Sequence, residues 1–438
     1  MPKRLILLLI MIFSMLTGCT NQPPEKTEVV KLKVLAWNEK IFNEKYGNFF
    51  RATHANYDLQ VISIIEHITA GEDLNQVVEK LIVSENPDVV SLNMDHYALL
   101  KEQNKLSSLS LLMKKDKFST SSYTSAILDY FTDSQGQMYG LTPTFIGTSL
   151  YYNKKMFKER GISFPTDSMT WDEVFQLAQK FSTSVDSNNQ QYGLYEKHFS
   201  NLFLMALYVG EGNGLSFFNN NKFLFHSASW ENVFQKVTDC FKSRVCYVND
   251  QASSSSQSTI ESAEKINYPF LKGNIAMAVN DSSLYRILTS NNKRYHDLEW
   301  GIVSLPRSSE QPDLSNGVEM SEIFSITKNA NVNASWEFIK YVCGDDYARL
   351  LPTVNPEELP ARLPAEWQDE RLKSFYNMER ITNTTIQTLR SLPRPVITTI
   401  EEASEKFMLD VLSDKDTVSE ALRVLELEIQ TAFDGIEK

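Results

Sequence analysis

Trp37, Asn38 and Glu39 stand in a row where an apolar run ends, offering a flat aromatic face, an amide and a carboxylate. Asn93 and Asp95 follow a second such run, and Asn280 and Asp281 follow a third. Aromatic faces lie against C–H surface, and carboxylates and amides take hydroxyl protons in fixed geometry. Asp95 has a second reading of equal weight, as the cap of a helix over 97–103. Carboxylates in a cleft can also serve hydrolysis as an acid–base pair. Other catalytic grammar is missing: the chain has no G-x-S-x-G turn, no H-E-x-x-H pair and no cysteine–histidine signature. Six scattered histidines make no multi-histidine site, so neither a metal nor a cofactor is expected.

Such residues need strands to end behind them, because polar ligand groups collect at the carboxyl ends of strands in open α/β sheets. Apolar or β-branched runs of strand length fall at 31–37, 59–65 and 88–92, with Leu74, Val77, Val78 and Leu81 at helical spacing between the last two. That order is βαβ grammar and implies a largely parallel sheet. A second set opens near Tyr139. It has a strand over 147–152, a short helix over 154–160 closed by Gly161, and a capping box at Thr170 and Glu173. The helix after that box carries Val174, Leu177, Ala178 and Phe181 on one stripe, with Trp171 as a buried first-turn anchor. Further strands are expected at 275–279, 300–305 and 322–326. Helices are expected at 230–241, 335–342 and 417–433, the last with a second box at Thr417 and Glu420. A serine-rich loop occupies 251–259, and no repeat of fixed period is present.

The chain has 438 residues, 42% of them hydrophobic and 22% charged, which is a folded composition with room for more than one compact unit. The net charge of −12 provides no basic field for a phosphate backbone, so nucleic acid is not an expected partner. Four cysteines exclude a disulfide framework. Cys240 and Cys246 are close enough in sequence for a small-loop disulfide or for a pair of buried thiols, and Cys343 reads as core.

Lys3 and Arg4 precede a short apolar run, and Leu16-Thr17-Gly18-Cys19 closes it. The run is shorter than the ~20 residues a spanning helix needs, and it suits an export signal over 1–18. The segment resembles a bacterial lipobox, which implies diacylation at Cys19 and a tether over 19–30. Two acyl chains hold a domain on the outer membrane face without insertion.

Further segments, in order, carry a wider resemblance. They are Tyr139-Gly140-Leu141-Thr142-Pro143 with Leu150-Tyr151-Tyr152-Asn153-Lys154, then Thr170-Trp171-Asp172-Glu173, and Phe270-Leu271-Lys272-Gly273 with Ala276-Met277. Trp300-Gly301-Ile302 with Leu305-Pro306 follows, and last comes Ala334-Ser335-Trp336-Glu337-Phe338-Ile339. Together they resemble the family 1 extracellular solute-binding proteins, the lipoprotein receptors of ABC importers. The resemblance implies two α/β lobes, each a mixed sheet flanked by helices, with the ligand between them. It places lobe one at 31–143 and 314–344, lobe two at 148–306 and 345–438, and hinge crossings at 144–147 and 307–313, with Gly147 as a hinge.

By that resemblance Thr144 and Phe145 lie in the first crossing and Glu319, Met320 and Glu322 in the second, joining Trp37, Asn38, Glu39, Asn93, Asp95, Asn280 and Asp281 as ligand contacts. Arg390 and Arg394 read first as surface charge. Asn280-Asp281-Ser282-Ser283 departs from sugar binders that carry a glycine and a nearby tryptophan there, which counts against an aromatic platform. The implied activity is capture of a small solute, a mono- or oligosaccharide, by a monomer that delivers it to ABC permease subunits without turnover. Alternatives are a non-sugar ligand, service to a sensor kinase, and a secreted glycoside hydrolase.

Overall fold

The computed structural model describes residues 28–69, 72–181, 190–197, 201–248, 260–290, 294–363 and 369–436. Cys19, the serine loop and Trp367 lie outside them.

The first sheet is built around Val30–Ala36. It pairs in parallel with Tyr57–Ser63 on one side and Val89–Leu92 on the other. The crossover to Val89–Leu92 uses the helix Leu74–Glu85, whose first turn is capped by Asp73 accepting from the Gln76 amide. Ile323–Thr327 then enters antiparallel beside Val89–Leu92, and Leu106–Ser107 closes the edge. Val89–Leu92 is buried on both faces, as expected for a largely apolar central strand, with Ser91 as its one polar residue.

The second sheet hangs on one long strand, Thr144–Asn153. Its far half pairs with Ile275–Asp281 and Trp300–Ser304, and Tyr192–Glu196 adds outside Ile275–Asp281. Its near half pairs with two short strands. Ile146 and Gly147 face Glu319 and Val318, while Thr144 and Phe145 face Pro360 and Leu359. Every passage of the chain between the lobes is therefore stitched to this one strand. Gly147 sits inside that pairing, and a Cβ there would come within 3.1 Å of Phe375, so close packing explains the glycine.

Alternation along the strand sorts its side chains between two cores. Phe145 and Tyr151 join the core that surrounds the first sheet, whereas Leu150 and Tyr152 join one roofed by helices. Those helices are Trp171–Gln179, Leu202–Gly212, Ala228–Lys242, Arg394–Leu412 and Val418–Ile436. Thr170 and Glu173 form the complete capping box. At Thr417 only half a box forms: its hydroxyl accepts from the Glu420 amide at 3.2 Å, but the Glu420 carboxylate turns to Arg423. Cys240 and Cys246 are joined in a disulfide, and Cys343 is buried and free. No described helix is long and apolar enough to cross a membrane.

Two expected boundaries move. Residues 307–313 stay with the second lobe, because the Arg307 amide donates to the Met169 carbonyl at 2.9 Å, and the crossing is made later at Val318–Glu319. The chain also does not leave the first lobe at Gly344. Helix Asp345–Val354 packs Tyr347 against Tyr46, Phe49 and Tyr341, and the third crossing comes at Leu359–Pro360.

A partly buried ionic cluster roots all three crossings in the first lobe. Lys45, on a short π-helical turn Asn43–Gly47, donates to Glu322 at 3.0 Å and to Glu358 at 2.9 Å. Tyr46 donates to Glu322 at 2.6 Å, and Thr144 donates to Glu358. Burial alone would lower the Lys45 pKa, but Glu322 and Glu358 outweigh it and hold the amine above its ordinary value. Removing one member of a fully buried cluster costs about 3–5 kcal/mol, and the low end of that range applies to this partly buried one. Lys45→Met should therefore lower the urea-unfolding free energy by roughly 3 kcal/mol. A loss no larger than that of an exposed lysine substitution would show the cluster to be unimportant.

Candidate functional site

Between the lobes lies a space of ≈ 310 Å³ with walls from both lobes and from two of the three crossings. The first lobe contributes Asn93, Met94 and Asp95, where Val89–Leu92 ends and helix Met94–Glu102 begins. The crossings contribute Ile146 and Thr148 from the long strand and Asn316 to Met320 from the second passage. The second lobe contributes Tyr208 and Glu211 from its buried helix, and Asn383, Thr385, Ile386 and Arg390 complete the wall.

Asn93, not Asp95, caps the first-lobe helix, its side chain accepting from the His96 amide at 2.9 Å. This frees the Asp95 carboxylate. One of its oxygens pairs with the Arg390 guanidinium, while Oδ1 is buried with no protein donor. Asn316 is similar. Its Nδ2 donates to the Tyr208 carbonyl at 2.8 Å, which fixes the amide's orientation because a carbonyl cannot donate, and its Oδ1 is buried and unpartnered.

Glu211 is the one charged residue in the otherwise apolar helix Leu202–Gly212. It accepts from the Thr385 amide at 3.0 Å and the Thr384 hydroxyl at 3.1 Å, with Thr382 at 3.4 Å. It thereby stands in for the missing side-chain cap of helix Thr384–Ser391, whose N-terminus favours a carboxylate. That helix carries Arg390 in its last turn. Burial pushes the Glu211 carboxyl above its ordinary value despite the three threonine contacts.

Of the residues singled out in the sequence, Asn93, Asp95, Glu319 and Met320 line this space, and so does Arg390, read first as surface charge. Trp37, Asn38 and Glu39 sit at the same end of the first sheet but outside the enclosed walls. Trp37 is 47% exposed, and Asn38 caps its own helix by accepting from the Ile41 amide at 3.0 Å. Thr144 and Glu322 are spent on the Lys45 cluster, and Phe145 is buried edge-on against Tyr376. Asn280 is fully buried in the second sheet, while Asp281 accepts from Lys197 and from the Ser283 amide. Arg394 lines a neighbouring, larger space of ≈ 810 Å³. The pattern reading missed Thr148, Tyr208, Glu211, Asn316 and Thr385. Glu211 had a signal, a lone charge two residues beyond the apolar run Leu202 to Val209.

The lining is aliphatic around these polar groups: Met94, Ile146, Val318, Met320 and Ile386, with Tyr208 as its aromatic member. Small-molecule sites have this makeup, apolar walls with a few placed polar groups. Among the described residues no cluster of three potential ligands could hold a metal ion.

Comparison with known proteins extends these observations. A family model described as bacterial extracellular solute-binding protein matches residues 50–356. A sugar-binding protein of Xanthomonas citri superposes with a TM-score of 0.65 at 17% identity, covering 93% of this chain and 98% of that one. A solute-binding protein of Agrobacterium vitis with bound D-mannitol gives a TM-score of 0.60 at 17% identity, covering 93% and 99%. A periplasmic sn-glycerol-3-phosphate-binding protein of Rhizobium meliloti (strain 1021) is 34% identical over 67 residues, which is 15% of this chain and 16% of that protein's length.

The raised Glu211 pKa has a signed consequence. A carboxyl whose folded pKa exceeds its unfolded value contributes most below the unfolded value, and that contribution is lost as pH rises through the raised one. Glu211→Gln keeps an acceptor for Thr385 and removes the titration. Melting temperatures across pH should show the wild type losing ground to the variant as pH climbs from about 4. Parallel curves would show that Glu211 does not titrate in this way.

Proposed function

The chain belongs to the bacterial extracellular solute-binding proteins, and from that premise we propose that it captures a monosaccharide or small polyol between its lobes and delivers it to an ABC importer. The carrying observation is the pair of buried acceptors, Asp95 Oδ1 and Asn316 Oδ1, on the walls of an interlobe space. A buried acceptor without a donor is costly, and hydroxyl-rich solutes supply donors. The ≈ 310 Å³ volume is at the small end for ligand sites and suits one sugar ring or an open-chain polyol. Aliphatic walls with a single aromatic favour such a ligand over a long glucan, which would use stacked aromatic faces. The ligand types named for structural relatives, a sugar and D-mannitol, point the same way.

Solute is bound and released unchanged in this reading. Of the three acids on the walls, Asp95 pairs with Arg390 and Glu211 with a helix end, while Glu319 lies exposed on the second crossing. The export signal and Cys19 would hold a monomeric receptor on the outer membrane face beside its permease, by two acyl chains. Lobe closure over the solute is the coupling event, since a ligand that contacts both lobes stabilises the closed state by its differential affinity.

A thermal-shift panel tests this reading directly. It comprises D-glucose, maltose, D-mannitol, ribitol, sn-glycerol 3-phosphate and spermidine. Solute at a hundred times its Kd should add about 2.7 kcal/mol of stability, raising Tm by several degrees for at least one sugar or polyol, and chromatography should recover that solute intact. A shift with spermidine alone would refute the carbohydrate reading, and hydrolysis of maltose at enzymatic rates would refute the receptor reading. Asp95→Asn should remove most of the sugar-dependent shift.

A further inference from the structure

Arg390 lines both interlobe spaces, the inner one of ≈ 310 Å³ and the outer one of ≈ 810 Å³, so its pairing with Asp95 stands at their junction. The two residues come from opposite lobes. Asp95 is fixed in the first turn of a helix that continues directly from the first sheet, and its side chain is only 13% exposed. Arg390 is held from the other side. Its helix is fastened to the second lobe by the Glu211 carboxylate at the opposite end, and reaches back to first-lobe Tyr130 through Gln387.

We infer that the Asp95–Arg390 pair is an interlobe latch that the solute must replace, which makes Arg390 the residue that selects among solutes. This rests on the interlobe space being the solute site. Without solute, the guanidinium satisfies one oxygen of Asp95 and holds the lobes together, leaving Oδ1 without a partner. A solute with two adjacent hydroxyls does what Arg390 alone cannot. One hydroxyl donates to Asp95, and its neighbour accepts from the released guanidinium, which has five donors and no acceptor. Vicinal diols are therefore the favoured chemistry, in ring or open-chain form. A polyamine gains Asp95 but meets the charge of Arg390, and a monohydroxylic solute satisfies only half of the exchange. Because Arg390 is 53% exposed, salt reaches the pair and weakens it.

The latch is measurable without any solute, so its failure is separable from failure of the sugar reading. Spin labels at Val83→Cys and Leu427→Cys, both at exposed positions on opposite lobes, report lobe separation by double electron–electron resonance on the full chain in detergent. Arg390→Gln and Asp95→Asn should each shift the solute-free protein toward longer distances, lowering the closed-to-open ratio by roughly tenfold. Raising NaCl from about 0.15 M to about 1 M shortens the screening length to roughly 3 Å; it should open the wild type while leaving Arg390→Gln unchanged. Distance distributions that superimpose for all three proteins at both salt concentrations would overturn the latch, as would a salt response in Arg390→Gln as large as in the wild type. The salt response of the unsubstituted side chains stands as evidence even where a variant folds poorly.

Discussion

A partly buried lysine held between two glutamates is the constraint on which the two-lobed architecture turns. Lys45 reaches Glu322 and Glu358, while Thr144 shares Glu358, so a single cation gathers one residue from each chain passage between the lobes. Ion clusters of this kind add little net stability over well-packed apolar residues. Their consequence here is geometric. With the roots of the crossings held together, the strand Thr144–Asn153 leaves the first lobe in one direction and pairs first with Leu359–Pro360, then Val318–Glu319, then the second sheet.

The cleft follows from that arrangement. Ile146 and Thr148 alternate with residues turned into the cores, so one face of the strand becomes its floor. Two devices then aim charge across it. In the first lobe Asn93 takes over the capping of its helix and leaves Asp95 available. In the second, a carboxylate in an apolar helix, Glu211, is tolerated because the N-terminus of helix Thr384–Ser391 supplies its hydrogen bonds, and that helix delivers Arg390. Asp95 and Arg390 are thus placed by helix ends, whereas Asn316 is oriented by the Tyr208 carbonyl.

Much of this frame is legible in the sequence because local physics decides it. The capping box at Thr170, the glycine stop at Gly161 and the strand-length runs expected at 31–37, 88–92 and 275–279 depend on near neighbours only. The site is less legible because its residues are assigned by distant partners. Thr144 and Glu322 have the chemistry of ligand contacts, and only the approach of Lys45 shows that they are consumed internally. Arg390 reads as surface charge until Asp95, remote in sequence, is placed opposite it. The expected exit from the first lobe at Gly344 failed similarly, since Tyr347 is drawn back by Tyr46. Glu211 is the exception, a residue whose oddity was visible in its own helix.

The central claim is that solute is held by Asp95, the Asn316–Met320 passage and the Asn383–Arg390 segment together. Hydrogen–deuterium exchange, with and without whichever sugar or polyol raises the melting temperature, tests it most directly. Exchange should slow in peptides covering 93–103, 316–320 and 383–391, from both lobes and the crossing at once. Protection confined to one lobe, or centred on 37–42 while those three segments exchange as before, would contradict it.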